Sequence, residues 1–121
     1  MAPAKITEGI MLYDVLSDGS LNGSYTNEHA PDDGTIFTET ALKIQDGPGS
    51  DICGKYTSFY FDSNNQRRDG TLTVQLITPG IKAHEFTWTD SLTGEITFRG
   101  IGYKMNQRQV AVHYQSVRGI E

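Results

Sequence analysis

Trp88 and the residues near it have the side chains best suited to holding a ligand. His84, Phe86 and Trp88 lie at alternate positions, which puts them on one face of an extended strand. A planar molecule could stack on the Trp88 indole with the other rings below it. The same three rings could instead fill a protein core or cover a contact between subunits.

Two further segments combine tyrosines with hydrogen-bonding groups. Tyr25 is followed by Asn27, and Tyr60 is followed by Phe61 and Asp62. A few convergent polar groups in a mostly apolar pocket orient a ligand, although tyrosine hydroxyls near strand ends also reach solvent or a backbone partner. We therefore predict a ligand site made of six residues: Tyr25, Asn27, Tyr60, Phe61, Phe86 and Trp88.

Two glutamates could add acid or base chemistry if they face inward. A buried carboxylate at Glu39 or Glu85 would have a raised pKa. Glu85 shares a strand face with Ala83 and Thr87, and Trp88 lies on the opposite face. We therefore expect the Glu85 side chain to point to water. The sequence contains no nucleophile-elbow pattern, and we predict no catalytic residue.

The histidines and the cysteine do not suggest a metal or a cofactor. His29, His84 and His113 fall on separate elements without the short spacing of paired ligands, so no metal site and no cofactor are predicted. Cys53 is the single cysteine. It cannot form an intramolecular disulfide, and without a basic neighbour it is expected to be a passive thiol.

Two other short motifs allow alternative interpretations. Arg67 and Arg68 fall in a predicted hairpin loop, where they could attract an anionic ligand or simply be solvated. Gly100 and Gly102 share one strand face, which indicates a sharp bend or a close approach of another group to the backbone.

The chain as a whole has the alternation and turn spacing of an all-β protein. Apolar and polar residues alternate clearly from Thr71 to Leu76 and from Val110 to Gln115, as in strands with one buried face. We predict eight strands, at Ile10 to Leu16, Ser20 to Asn27, Thr35 to Ile44, Lys55 to Asp62, Thr71 to Ile77, Ile81 to Thr89, Glu95 to Lys104 and Gln109 to Ser116.

The connections between these strands favour an antiparallel barrel. All are too short for the crossover helix that a parallel pair needs, and eight consecutive strands close most simply into an up-and-down barrel. A β-sandwich is the alternative. Alternate hairpins lie at the same end of a barrel, so the segments Glu28 to Gly34, Ser63 to Gly70 and Asp90 to Gly94 should surround a mouth.

Length and charge narrow the class of protein. The 121 residues suit one domain, 1–121, in which residues 1–9 are expected to be irregular. A net charge of −5 argues against partners such as nucleic acid or an anionic membrane, and no apolar run approaches the roughly 20 residues of a membrane span. No signal sequence is evident, so a cytoplasmic location is the default expectation.

The charge is unevenly distributed along the chain. Residues 1–62 carry a net charge of −7 and residues 63–121 carry +2. This polarity could favour head-to-tail contacts in a homo-oligomer, or it could be the uneven surface of a monomeric barrel.

Three segments resemble a known family. The segment Asp18 to Tyr25 resembles the Asp-Gly-x-Leu-x-Gly-x-Tyr segment of avidin and streptavidin, and Phe61 to Asn65 and Trp88 to Gly94 resemble later segments of those barrels. The resemblance implies hydrogen bonding to a ligand by Tyr25 and Asn27 and a wall formed by Trp88. The biotin binders enclose their ligand with several tryptophans, whereas this chain has one, so tight biotin binding is not expected.

The broader calycin class, which includes lipocalins and fatty-acid-binding proteins, is also similar to the predicted pattern. We expect a non-enzymatic barrel that binds an unidentified small molecule. Two alternatives are a protein-binding or self-assembling barrel, such as a protease-inhibitor-like or structural module, and a small isomerase or lyase. A perturbed carboxylate or histidine inside the cavity would be the signature of the enzyme.

Overall fold

The computed structural model describes residues 7–28, 36–61, 65–77 and 83–117. The strands are β1 Glu8–Val15, β2 Leu21–Asn27, β3 Phe37–Asp46, β4 Gly54–Phe61, β5 Arg67–Leu76, β6 Ala83–Asp90, β7 Ile96–Lys104 and β8 Gln109–Ser116. Each strand pairs with the next in sequence, and β8 pairs with β1 to close the barrel. The predicted eight-stranded antiparallel up-and-down barrel is confirmed. In the described ranges, no helix has the length and apolar character needed to cross a membrane.

The chain becomes regular earlier than residue 10. β1 begins at Glu8, so the expectation of an irregular segment over 1–9 is wrong for Glu8 and Gly9, which pair with Gln115 and Tyr114 of β8. Residues 1–6 lie outside the described part of the chain. Because the barrel closes, Glu8 and Gly9 can pair with a strand that is distant in sequence.

The start of β5 is the larger difference from the prediction. The sequence pattern predicts a loop at Arg67 and Arg68, but they pair with Phe61 and Tyr60 of β4. The Arg67 guanidinium lies 4.6 Å from the centre of the Phe59 ring, an arrangement that attracts a cation to the ring face. These contacts with β4 keep the polar start of β5 in an extended, paired conformation.

One face of every strand fills the barrel. In β1, for example, Met11 and Tyr13 are buried while Ile10 and Leu12 are exposed, which is the two-residue period of a sheet with one buried face. Gly102 makes room for this filling, because a Cβ there would lie 2.9 Å from the Phe86 ring and 2.6 Å from the Ala111 carbonyl oxygen. The close approach predicted from the glycines is confirmed.

Residues 47–53 close one end of the barrel. Ile52 and Cys53 are completely buried, and the Tyr56 hydroxyl donates a hydrogen bond to the Ile52 carbonyl oxygen at 2.6 Å. The Ser50 hydroxyl lies 2.7 Å from Nε2 of the buried His84. Because these contacts join the segment to the walls, the interior at this end is packed.

Candidate functional site

A cavity of about 590 Å³ opens at the other end of the barrel. This volume lies within the usual range of small-molecule pockets. Six aromatic residues from six strands line it: Tyr25, Phe37, Tyr60, Trp88, Phe98 and Tyr114.

Most ring pairs around the cavity meet at steep angles, while Phe37 is tilted by 36° to Tyr25. Tyr25 is inclined by 85° to Tyr60 and by 81° to Tyr114, and Phe98 is inclined by 79° to Tyr114, with 5.8–6.2 Å between ring centres. Edge-to-face contacts of this kind hold aromatic rings firmly against one another. Neighbouring rings therefore face the cavity in different directions. We call these six aromatic residues the aromatic box.

Glu39 supplies an acidic group to the cavity lining. It lies on the same face of β3 as Phe37 and Ala41. This face points to the interior, and only 2% of the Glu39 surface is exposed. The Tyr13 hydroxyl donates to its Oε1 at 2.5 Å. Its Oε2 accepts hydrogen bonds from the Ser58 hydroxyl and from Trp88 Nε1 at 2.9 Å. Three donors therefore converge on one carboxylate.

Burial has the largest effect on the pKa of the Glu39 carboxyl group. Loss of water raises the pKa of Glu39 above its ordinary value, and the three hydrogen bonds offset part of that rise. Burial beside Glu39 also raises the pKa of Tyr13, which keeps this hydroxyl protonated and able to donate. Among the described residues, no lysine, arginine or histidine forms an ion pair with Glu39.

Charged residues also line the outer part of the cavity. Arg68, Asp69 and Asp90 all contribute to the lining. Asp69 is paired with Arg67 at 3.0 Å, whereas Asp90 Oδ1 accepts the Leu92 backbone N–H at 2.7 Å. Counting Glu39, acidic side chains outnumber basic ones in the cavity lining.

Four of the six predicted site residues line the cavity: Tyr25, Asn27, Tyr60 and Trp88. Asn27 donates from its amide to the Tyr114 hydroxyl at 3.2 Å, and burial raises the pKa of Tyr114 to about 12. The structure thus brings together the aromatic and amide groups that the sequence singled out.

The other two predicted residues lie elsewhere. Phe86 is completely buried next to the Trp88 ring and is not among the cavity-lining residues. The Phe61 side chain is 44% exposed, and only its carbonyl oxygen joins the site, accepting the Tyr25 hydroxyl at 2.7 Å. Asp62, which follows Tyr60 and Phe61 in the sequence, lies outside the described residues.

Sequence reasoning missed several members of the site. Tyr13 and Ser58, which donate to Glu39, were not singled out, and neither were Phe98 and Tyr114. The alternation from Val110 to Gln115 already put Tyr114 on the buried face. That signal was sufficient to find it.

The remaining titratable residues are distributed around the barrel. Glu85 is exposed, as its parity predicted. No group of three or more histidine, cysteine or acidic side chains suitable for a metal occurs in the part of the chain that the structure describes. His29 lies outside that part.

Comparison of the chain with protein-family models, with curated proteins and with solved structures gave no match in any of the three.

Proposed function

We propose that the protein is a non-enzymatic barrel that binds a small molecule in the cavity above Glu39. The observation that carries this proposal is a half-filled interior. One end of the barrel is packed by residues 47–53, while the other holds a cavity of about 590 Å³. A barrel whose core needed only to be stable would gain from filling that space, because voids forfeit packing contacts.

The composition of the lining supports the same function. The aromatic box provides apolar surface, and polar side chains that include Asn27, Ser58 and Glu39 provide hydrogen-bonding groups. This is the mixture that ligand pockets use for affinity and orientation. Binding at one end of a barrel is also the mode that the resemblance to avidin-like and calycin barrels implies, with a ligand other than tightly held biotin.

Trp88 gives a direct test because it is the only tryptophan in the chain. We expect the fluorescence of the Trp88 indole to change when a true ligand enters, and Trp88→Ala to weaken binding by roughly tenfold or more, as for an aromatic contact at the centre of a site. The measurement is calorimetric titration with a ligand first identified by native mass spectrometry of the purified protein.

Thr87→Ala is the matched control for Trp88→Ala. Thr87 is adjacent on β6 and lies on the opposite strand face, so its loss should leave affinity unchanged. Equal affinities for wild-type protein and Trp88→Ala would overturn the proposed site.

Glu39 also meets the expected signature of an isomerase or lyase, since it is a carboxylate with a raised pKa inside the cavity. Its hydrogen bonds favour a binding function instead. Both oxygens already accept donors, from Tyr13, Ser58 and Trp88. Three of the roughly four acceptor positions of the carboxylate are therefore used, which leaves little room for the proton transfer of a general base, so orienting a ligand is the better-supported role.

The self-assembling alternative is favoured by an apolar outer face on β1, β8 and β7. Ile10 and Ile101 flank His113 in one cross-strand row, and Leu12 and Tyr103 flank Ala111 in the next. Ile10 and Ile101 are each 61% exposed. Because these two rows carry little charge on a chain with net charge −5, a second copy of the same face would be a matching partner.

This alternative predicts a dimer that depends on Ile101. Ile101→Glu would bury like charges across the two-fold contact and should convert the dimer to monomer, whereas Thr57→Glu, on the outward face of β4, should not. Light scattering coupled to gel filtration measures the subunit number. A wild-type protein that is monomeric at high micromolar concentration would exclude this interface.

A further inference from the structure

The cavity combines two features that each favour positive charge. The first is the aromatic box, in which the faces of tyrosine, phenylalanine and tryptophan rings carry negative electrostatic potential. The second is Glu39, which lies among these rings without an ion-pair partner in the described ranges. Taking a carboxylate out of water is unfavourable unless a countercharge or hydrogen bonds replace the lost solvation.

The partners of Glu39 replace that solvation only in part. Tyr13, Ser58 and Trp88 are all neutral donors. They match the acceptor-only chemistry of an ionised carboxylate, but they leave its charge uncompensated. A cation in the cavity would supply the missing countercharge at a site with a low dielectric constant, where charge pairs interact more strongly than in water.

We propose that the ligand of this cavity is a small organic cation, such as a quaternary ammonium or a protonated amine. The inference rests on the proposed ligand-binding function and names the class of ligand for that site. The alkylated nitrogen would lie against the aromatic box with Glu39 below it. Attraction of ammonium groups to ring faces, strongest for tryptophan, is the established basis of aromatic cages.

The charges nearer the opening sum to zero and leave the choice of charge class to Glu39. Asp69 and Asp90 line the cavity together with Arg68, and Arg67 and Asp69 compensate one another. Because Arg68 and Asp90 also offset each other in net charge, the acidic excess of the cavity is the carboxylate of Glu39, which favours a cation over an anion. An uncharged ligand would gain from the rings but not from the carboxylate.

Three probes with the same branched head separate the charge classes. They are choline, its uncharged carbon isostere dimethylbutanol, and the anion dimethylbutyrate. We expect choline to bind at least about tenfold more tightly than dimethylbutanol, equivalent to about 1.4 kcal/mol, and dimethylbutyrate to bind more weakly than either. Titrations followed by Trp88 fluorescence and by calorimetry provide the dissociation constants.

Two variants test the two contributions to this preference. Glu39→Gln keeps the shape of the side chain and removes its charge, so it should abolish most of the preference for choline over dimethylbutanol. Phe98→Leu keeps apolar volume and removes one ring face, so it should weaken choline binding more than dimethylbutanol binding. Phe98→Leu leaves the Glu39 hydrogen bonds in place, so it remains informative if Glu39→Gln does not fold.

The pH dependence supplies a further readout. Because burial raises the pKa of Glu39, choline affinity should rise with pH as the carboxylate ionises, while dimethylbutanol affinity should stay flat. If dimethylbutanol binds as tightly as choline, or if dimethylbutyrate binds best, the cation inference fails while the proposed binding function stands. If none of the three perturbs Trp88, the cation inference also fails, and native mass spectrometry then decides the binding function separately.

Discussion

Replacing Glu39 with alanine is expected to lower the free energy of unfolding by about 3 kcal/mol or more. The change leaves the Trp88 N–H and the hydroxyls of Tyr13 and Ser58 without their common acceptor. Each buried polar group that loses its partner costs about 1–3 kcal/mol, and water entering from the cavity recovers part of this cost for Trp88 and Ser58. Urea denaturation monitored by circular dichroism measures the change.

Glu39→Gln is the matched control for the Glu39→Ala variant. The glutamine carbonyl can accept the hydrogen bonds from Ser58 and Trp88, and its amide can donate to the Tyr13 oxygen, so only the Tyr13 O–H loses its acceptor and we expect a loss of only about 1 kcal/mol. A Glu39→Ala protein as stable as Glu39→Gln would contradict the role of Glu39 as the common acceptor.

The sign of the pH effect follows from the raised pKa of Glu39. The folded protein holds this proton to a higher pH than the unfolded chain, whose glutamate has its ordinary pKa of 4.5. The resulting contribution to stability is fully present below pH 4.5 and is lost as pH rises through the folded pKa. Glu39→Gln lacks this titration, so the stability of wild type relative to Glu39→Gln should fall with rising pH.

Phe86→Ala is expected to destabilise the barrel by about 3–5 kcal/mol, the usual cost of removing a buried phenylalanine ring. Phe86 is completely buried, with its ring centre 6.0 Å from that of Tyr13 and 6.1 Å from that of Trp88. Its loss opens a void below Trp88, against Gly102. Thermal and urea unfolding measure the effect.

Phe61→Ala is the control for Phe86→Ala, since it removes the same ring from an exposed position and should cost less than about 1 kcal/mol. Because the Phe61 contact to Tyr25 is made by its carbonyl oxygen, ligand affinity should also survive this change. Similar stability losses for the two variants would contradict the assignment of Phe86 to the core and Phe61 to the surface.

The barrel itself could be predicted because it depends on local signals. Turn residues and two-residue alternation specify the strands, and short connections specify antiparallel neighbours. The start of β5 could not be predicted in this way. Arg67 and Arg68 have no apolar alternation, and their strand is fixed by pairing with Phe61 and Tyr60 and by the stacking of Arg67 over Phe59.

The inward orientation of Glu39 was undetermined for a different reason. β3 has apolar side chains on both faces, with Phe37 and Ala41 inside and Leu42 and Ile44 exposed. Hydrophobic pattern alone therefore does not decide which face is buried. The choice is made by partners that are distant in sequence, since Tyr13 from β1 and Trp88 from β6 converge on this carboxylate.

The closure of one end by residues 47–53 has a kinetic consequence for anything that binds. With Ile52 buried there and Tyr56 bonded to its carbonyl oxygen, residues 47–53 block one end of the described barrel, and the cavity opens at the other. An incoming molecule must let the displaced water out past itself, and a bound molecule must leave along the path by which it entered. A partner that covers this one rim would therefore slow uptake and release together, without touching the bound molecule.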